Sequence, residues 1–395
     1  MIASMFDMAK VVNRAYKYRF YPTPEQAGEL SQTFGCVRKV WNLALEARTT
    51  AWHQRHERLT YLQSSALLTG WKHSADLAYL NQVSSVPLQQ ALRHLQSAFA
   101  RFWDSQARYP RFKSRKKSRA SAEYTRSAFR YRDGQLHLAK MTAPLAVVWS
   151  RPLPDGAEPS TVTVSRDPAG RWFVSLQCQC AVEPPPASDT IVGVDAGITS
   201  LVTLSSGEKV ANPRHEQKDR ARLALTQRRL ARTQKGSANR DKARLKVARV
   251  HARITDRRKD FLHKLTTRLV RDNQAVVIED LSVKNMVRNR HLARAISDAA
   301  WRQLRAMLEY KCEWYGHDLV VTGRWYHSSK TCSACGRTAA GLPLHVRAWE
   351  CVTCGIRHDR DVNAAVNIRA AGLAVLACGA GVRPAREPSR AGGRR

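Results

Sequence analysis

Residues 327–336 read HSSKTCSACG, and residues 351–365 read CVTCGIRHDRDVNAA. The two stretches hold two Cys-x-x-Cys pairs with fifteen residues between them, formed by Cys332, Cys335, Cys351 and Cys354. This spacing favours a four-cysteine zinc ribbon over disulfides or scattered thiols, because each pair can form a tight turn whose thiolates take two corners of a tetrahedron. Four thiolates leave no open position for water, so the predicted zinc is structural. The chemistry must come from other residues, and Asp361 is the nearest candidate.

The composition of the 395-residue chain indicates a polyanionic partner. Sixty-six Lys and Arg residues against thirty-two Asp and Glu residues give a formal net charge of +34, and aromatic residues are mixed with the basic ones. An excess of this size favours nucleic acid as the partner over a merely solvated surface. The length is sufficient for two or three domains.

The sequence shows no sign of export or of membrane insertion. Residues 1–12 carry Asp7 and Lys10 and lack the apolar core of a signal peptide. No stretch is long and apolar enough to span a membrane, so no membrane partner is expected. A reduced, cytoplasmic location is expected. The cysteines outside the two pairs are predicted to be buried thiols: Cys36, Cys178, Cys180, Cys312 and Cys378.

The first 182 residues predict a β-barrel interrupted by helices. Alternating aromatic and basic residues at 14–21 indicate a strand, and Thr23-Pro24-Glu25 begins a helix. Further helices are predicted over residues 61–80 and 86–103, and four helical tryptophans are expected in the core, namely Trp41, Trp52, Trp71 and Trp103. Short strands with a hairpin turn at Asp133-Gly134 follow, over residues 123–132, 136–138, 147–149, 161–165 and 172–180.

A proline-rich linker over residues 183–188 is the clearest domain boundary. Residues 282–294 are expected to be a polar connection. After the linker, the sequence predicts a strand hairpin over residues 191–207 and a basic helical hairpin over residues 213–273. A strand (275–280), a helix (299–315), a strand (318–322) and a helix (361–371) then follow. This is the order of elements in an RNase H-like sheet.

Three acidic residues lie at the ends of these elements, namely Asp195, Glu279 and Asp361. In an RNase H-like sheet they converge on one point, where clustered carboxylates suit two magnesium ions for phosphodiester hydrolysis. Each acid also has a structural interpretation, as a turn residue, a strand end or a helix cap. Asp361 in particular could cap its helix, and Asp359 or Asp280 could be the ligand in its place.

Four motifs resemble the TnpB family of transposon-encoded RNA-guided nucleases, which is related to the type V CRISPR effectors with a single RuvC domain. The motifs are GVDAG, IEDLSVKNM, SSKTCSACG and DRDVNAA, at residues 193–197, 278–286, 328–336 and 359–365. The likeness extends from Tyr16 to about Ala371.

The resemblance implies an α+β multidomain fold, in which an N-terminal wedge β-barrel carries an inserted helical recognition domain and a RuvC/RNase H-like α/β domain carries an inserted zinc ribbon. The implied boundaries are residues 1–23 and 110–182 for the barrel, 24–109 for the helical domain, 183–326 and 356–377 for the RuvC-like domain, 327–355 for the target-binding ribbon and 378–395 for a disordered basic tail.

The resemblance also implies an activity, the cleavage of double-stranded DNA that pairs with a guide RNA transcribed from the transposon end. Asp195, Glu279 and Asp361 would then be the catalytic magnesium ligands. Two other hypotheses use the same residues differently. One is a transposase that joins DNA strands, and the other is a non-enzymatic zinc-ribbon regulator of transposition that binds nucleic acid.

Overall fold

A computed structural model of the protein describes residues 10–183, 185, 186, 188–324, 326–343 and 345–378. The described residues form two compact units, one of residues 11–180 and one of residue 10 with residues 181–378. The architecture is mixed α+β, with a half-barrel sheet in the first unit and a four-cysteine cluster in the second. Apart from Cys378, the tail that was predicted to be disordered lies outside the described residues.

The first unit begins with strand β1 (Lys10–Phe20) and a long helix, α1 (Pro24–Arg55). The helix starts where the sequence predicts, because Thr23 and Gln26 exchange side-chain and backbone hydrogen bonds in a capping box and Pro24 occupies the first turn. Two further helices and a 3-10 helix follow, α2 (Tyr61–His73), Ala75–Gln82 and α3 (Ser85–Trp103). Their shared core includes Val40, Leu45, Leu80, Leu88, Leu92 and Leu95.

Two of the four helical tryptophans are not in this core, which corrects the prediction. Trp41 is buried and Trp71 is half-buried, whereas Trp52 and Trp103 are 44% and 45% exposed. Both exposed rings contact the guanidinium group of Arg58, each at 5.5 Å from its carbon to the ring centroid. This cation–π contact keeps the two apolar rings at the surface.

The sheet of the first unit has the strand order β2-β6-β7-β1-β5. Besides β1, this sheet contains β2 (Ala120–Thr125), β5 (Val147–Val148), β6 (Pro159–Arg166) and β7 (Trp172–Val182). Strands β3 (Phe129–Arg132) and β4 (Gln135–Leu138) form a separate hairpin. The hairpin turn forms as predicted, with Asp133 and Gly134 at φ of 51° and 73°. The strand predicted over residues 123–132 is divided, because Arg126–Ala128 forms a 3-10 turn.

The sheet of the second unit has the strand order β10-β9-β8-β11-β12. The strands are β8 (Ile191–Ala196), β9 (Ser200–Leu204), β10 (Lys209–Ala211), β11 (Ala275–Glu279) and β12 (Asp318–Thr322). The first three pair antiparallel, whereas β11 runs parallel to both β8 and β12. The carboxyl ends of β8 and β11 therefore meet at one edge of the sheet.

The helices of the second unit are α4 (His215–Ala231), α5 (Ala238–Asp272), α6 (Val283–Met286), α7 (Ala293–Ala299), α8 (Trp301–Tyr315) and α9 (Arg360–Ala377). The predicted helical hairpin is present as α4 and α5, packed around Leu223, Val250 and Ile254. The break near residue 236 is also present, since Ser237 caps α5 by accepting a hydrogen bond from the Arg240 N–H.

Three predictions for this unit need correction. The polar connection over residues 282–294 contains α6 and the start of α7, because Ile296 and Ala299 give α7 a buried face. Helix α9 continues six residues past the predicted end, where Val375 and Leu376 pack against the sheet. Cys378 is exposed, whereas the other four cysteines outside the two pairs are buried as predicted.

Among the described residues, none of the helices combines the length and the apolar character that a membrane crossing requires.

Candidate active site and metal centre

The four paired cysteines form a compact cluster. The sulfur atoms of Cys332, Cys335, Cys351 and Cys354 all lie within 4.8 Å of one another, and two of the sulfur pairs are 3.6 Å apart. Four thiolates at about 2.3 Å from a tetrahedral zinc ion lie about 3.8 Å from one another. The cluster therefore has the dimensions and the donor set of a four-cysteine zinc site.

The backbone of each Cys-x-x-Cys pair is folded in the same way. The N–H of Gly336 donates to the Cys332 carbonyl oxygen at 2.9 Å, and the N–H of Gly355 donates to the Cys351 carbonyl oxygen at 2.8 Å. Both glycines have a positive φ, of 76° and 69°, which residues with a side chain rarely adopt. The glycine after each pair is thus required by the turn that aims the two thiols inward.

A histidine that the sequence analysis did not single out contacts this cluster. His358 lies on β14 (Arg357–Asp359), which pairs with β13 (Ala348–Glu350). Its Nε2 atom is 3.0 Å from the Cys332 sulfur, and its ring lies 4.9 Å from the ring of Trp349. An imidazole N–H in this position can donate to a thiolate and so stabilise its charged form. The sequence signal was available, because His358 is four residues after Cys354.

The three candidate acids lie around the carboxyl ends of β8 and β11. In the parallel register Ile278 is opposite Val194, so Asp195 and Glu279 are the next residues on neighbouring strands. Asp361 is in the first turn of α9, and α9 packs across β8 where Gly193 has no side chain. Residues far apart in the sequence are therefore brought to one edge of the sheet.

The electrostatics of Asp195 show how closely the acids interact. Burial of its carboxyl group, together with the negative charges of Glu279 and Asp361, raises the pKa of Asp195 to about 7, and nearby Arg360 and Arg347 offset this only in part. No hydrogen bond to the Asp195 carboxylate forms among the described residues. A carboxylate that is poor in donors and crowded by two other acids favours a bound cation, which neutralises the repulsion. The acids are nevertheless less tightly grouped than the cysteines, which among the described residues form the one group of ligand atoms close enough to hold a metal ion as they stand.

The two alternative ligands, Asp359 and Asp280, are already engaged. Asp359 is the N-cap of α9, and its carboxylate accepts hydrogen bonds from the N–H groups of Asp361 and Val362, each at 3.1 Å. It also forms an ion pair with Lys209 at 2.6 Å. Asp361 is thereby released from capping its own helix.

Asp280 is held by two arginines, Arg305 at 2.8 Å and Arg324. Burial alone would raise the pKa of Asp280, but the hydrogen bonds from the two guanidinium groups outweigh it and lower the pKa below its ordinary value. Asp280 and Asp359 are thus both engaged in contacts within the fold.

Two further side chains reach the remaining acids. The hydroxyl group of Ser328 donates to Glu279 Oε1 at 2.6 Å, and Arg347 lies 3.4 Å from Asp361 Oδ1. Both come from the segment around the four cysteines. Ser328 belongs to the SSKTCSACG motif, but a serine gives no sequence signal of a partner 49 residues away.

Comparison with family models gives three matches. Residues 162–290 match the OrfB type described as "Probable transposase", residues 301–368 match the "Cas12f1-like, TNB domain", and residues 8–57 match a model described as "Helix-turn-helix domain". Over the last of these ranges the described residues form β1 and a single helix, α1.

Known proteins resemble the chain over nearly its whole length. A protein of Streptomyces pristinaespiralis named "Putative RNA-guided DNA endonuclease" is 68% identical, over 98% of this chain and 96% of its own. InsQ of Escherichia coli K12, with the same description, is 33% identical over 93% of this chain and 94% of its own. In fold, the chain matches a Cas12f1 protein from a cryo-EM complex with sgRNA and target DNA, with a TM-score of 0.59 and 12% identity, over 91% of this chain and 99% of that one. The sequence motifs and these full-length relatives agree, and the chain belongs to the TnpB family.

Proposed function

We propose that this protein is an RNA-guided endonuclease that cuts double-stranded DNA by metal-dependent hydrolysis of phosphodiester bonds. The observation that carries this proposal is the group of Asp195, Glu279 and Asp361, in which a desolvated carboxylate interacts with two other acids. Full-length relatives that are named RNA-guided DNA endonucleases support the same activity.

The three acids would hold magnesium, a hard cation that prefers carboxylate oxygens to thiolates. Two Mg²⁺ ions bound there would activate the attacking water and stabilise the leaving oxygen of the phosphodiester. The chain's own contribution is to hold the carboxylates at the end of two parallel strands and the start of one helix. Asp359 caps that helix, so the carboxylate of Asp361 stays free for the site.

The finer division of the chain is part of this proposal. Strand order β10-β9-β8-β11-β12, with β11 parallel to its neighbours, supports an RNase H-like, RuvC-type domain over residues 183–326 and 356–377. The four-cysteine cluster supports a ribbon over residues 327–355 with one structural zinc ion. Residues 1–23 with 110–182 would form the wedge, and residues 24–109 the helical recognition domain.

The proposed partners are a guide RNA from the transposon end and the DNA that pairs with it. The net charge of +34 supports a polyanion. Part of this charge lies on the outer faces of α4 and α5, where the exposed basic residues include Arg222, Arg228, Arg229, Lys242, Lys246 and Arg249. Contacts between such basic side chains and the phosphate backbone of a nucleic acid carry no sequence information. Base pairing with the guide RNA would therefore determine which DNA sequence is bound.

Changing the guide tests this function directly. The protein is expressed with its downstream transposon sequence, the guide segment is exchanged, and cut sites are mapped on a plasmid library. Cuts that follow the new guide support the proposal. Cuts that stay at the old positions, or undiminished specificity after RNase treatment, contradict it.

A second candidate is a strand-transfer transposase, favoured by the family description that matches residues 162–290. The same acids could serve strand transfer, because the metal chemistry is shared. Incubation with transposon ends and a target plasmid separates the two functions. Joined products would support strand transfer, whereas linear, unjoined products support hydrolysis. A non-enzymatic regulator, in contrast, would work equally well after the acids are replaced.

A further inference from the structure

The segment that leads into the first cysteine pair also reaches the acidic site. Ser328 is 6% exposed, and its hydroxyl group donates to Glu279 Oε1 at 2.6 Å. A hydroxyl group has one proton to donate, so this hydrogen bond fixes one oxygen of the carboxylate and leaves the other oxygen free. The orientation of Glu279 therefore depends on where Ser328 is held.

Two buried asparagines of α9 hold this segment by its backbone. Asn363 and Asn367 are 2% and 5% exposed and lie four residues apart, on the same face of the helix. The Asn367 amide donates to the carbonyl oxygens of Ser328 and Thr331 at 2.8 and 2.6 Å. The Asn363 amide donates to Thr331 at 2.8 Å, and its oxygen accepts from the Ser333 N–H at 2.9 Å. We call Asn363 and Asn367 the asparagine clamp.

Only an amide side chain meets these requirements. The clamp faces two carbonyl oxygens and one N–H, so each side chain needs donors, and Asn363 needs an acceptor as well. An aspartate would place an acceptor against carbonyl oxygens in a buried site, and an apolar residue would leave the carbonyl oxygens without partners. The clamp is therefore specific for the backbone between residues 328 and 333.

The clamp joins the cysteine cluster to the acids within one short stretch of chain. Cys332 lies inside the clamped segment, and His358, which contacts the Cys332 sulfur, immediately precedes the N-cap of α9. The same helix carries Asp361 two residues before Asn363. The segment of residues 328–333 is thus held by the cysteine cluster through Cys332 and by α9 through the two asparagines. These contacts together fix the position of Ser328.

We propose that Ser328 is a positioning residue for Glu279 and that the asparagine clamp holds Ser328 in place, so that the cysteine cluster supports the nuclease site through this segment. The inference rests on the proposed function, in which Glu279 is a metal ligand. Partners that orient a metal ligand are worth about 10- to 100-fold in metal affinity or activity.

The test compares Ser328→Ala with Ser328→Thr, which keeps the hydroxyl group, and with Ser329→Ala as the matched control next to it. Two quantities are measured on the full chain: Mn²⁺ affinity of the RNase-treated protein by electron paramagnetic resonance, and the Mg²⁺ concentration that gives half-maximal cleavage by the guide-RNA complex. Ser328→Ala is expected to weaken Mn²⁺ binding, and to raise the Mg²⁺ requirement, by about 10-fold. Ser328→Thr and Ser329→Ala are expected to behave like the wild type, and guide-RNA binding should be the same in all four proteins.

A clamp variant, Asn367→Ala, should reproduce the Mn²⁺ defect of Ser328→Ala, with thermal unfolding as a check on its fold. Wild-type Mn²⁺ affinity in Ser328→Ala overturns the inference, and so does an equal defect in Ser329→Ala. The Mn²⁺ comparison does not depend on cleavage. A wild-type protein that fails to cut with any guide would contradict the proposed function, while the Mn²⁺ affinities would still decide the role of Ser328.

Discussion

Gly193 and Ala365 are in direct backbone contact. A Cβ atom at Gly193 would lie 2.1 Å from the carbonyl oxygen of Ala365 and 2.6 Å from the backbone nitrogen of Arg369. Strand β8 therefore touches α9 with no side chain between them. Since Asp195 follows Gly193 by two residues and Asp361 precedes Ala365 by four, this contact sets the separation of the two acids.

Gly193→Ala is expected to push α9 away from β8. The atoms in the way belong to the backbone, so relief requires a shift of the helix, and overpacking of this kind costs about 1–3 kcal/mol or more. We expect a lower melting temperature for the second unit and a loss of cleavage. Thermal unfolding and a plasmid cleavage assay measure both. Gly28→Ala is the control, because nothing lies within 4 Å of the added Cβ atom. If Gly193→Ala melted at the wild-type temperature and cut like the wild type, the close contact between β8 and α9 would be contradicted.

Asp195→Ala, Glu279→Ala and Asp361→Ala should each reduce cutting to the level of a protein-free control. Each removes one metal ligand, whereas the basic surface and its attraction for nucleic acid remain. Cleavage assays and gel-shift binding with guide RNA and target DNA separate the two effects. Asp155→Ala, which changes an exposed acid of the first unit, serves as the charge control. Normal cutting by all three variants would show that these acids are not the metal ligands of the nuclease.

Asp359→Ala should destabilise the protein without abolishing cleavage. The variant loses the cap that accepts hydrogen bonds from the N–H groups of Asp361 and Val362, and loss of such a cap costs about 1 kcal/mol. A melting temperature lower by a few degrees, with cutting retained, is the expected result. If Asp359→Ala were inactive while Asp361→Ala cut normally, the third ligand would be Asp359.

Cys351→Ser should release one zinc ion per chain. The cluster then keeps three thiolates, and a four-cysteine site needs all four to close the tetrahedron. Elemental analysis of protein purified without chelator measures the change. Cys378→Ser, which alters an exposed cysteine outside the cluster, should retain the metal. Wild-type protein that contains no zinc would contradict the prediction.

Glu123 offers a test in the first unit. The hydrogen bond from His94, which outweighs burial, lowers the pKa of Glu123 below its ordinary value. The folded state therefore favours the ionised carboxylate, and the stability that this provides is present above the unfolded pKa and is lost as the pH falls through the lower folded pKa. Glu123→Gln should cost less than about 1 kcal/mol at pH 7, and its difference from the wild type should shrink as the pH falls through the lowered pKa of the folded Glu123. Chemical denaturation at several pH values measures it, and a difference independent of pH would contradict it.

Local patterns allowed most elements of this fold to be predicted, and long-range contacts explain the failures. Thr23, Gly134 and Ser237 act on their sequence neighbours, so the elements that they start or connect follow from the sequence. Trp52 and Trp103 follow the helical pattern of core residues, yet Arg58 keeps both at the surface. Helix α7 was missed because its stability comes from Ile296 and Ala299, which pack on elements distant in the sequence.

The candidate site shows the same division. The spacing of the four cysteines predicted their cluster, and the three acids were predicted from their places at the ends of apolar strands and of a helix. The sequence left Asp359 and Asp361 as alternatives, because only the backbone geometry of the helix start determines which one caps it. Ser328 could not be assigned, since its partner Glu279 becomes a neighbour only after folding. His358 had a sequence signal in its closeness to Cys354, but its contact with Cys332 appears only in the folded chain.

The parallel pairing of β11 with β8, and the contact of α9 with β8, also determine when the proposed acidic site can assemble during synthesis. The first acid is at position 195 and the third at position 361, so the ribosome has completed β8 long before α9 exists. Contacts between such distant residues form late in folding. A nascent or truncated chain that ends before α9 therefore carries the basic helices α4 and α5 but only two of the three acids. On the proposed function, such a fragment would bind nucleic acid through its positive charge but would lack the complete group of acids that cutting requires.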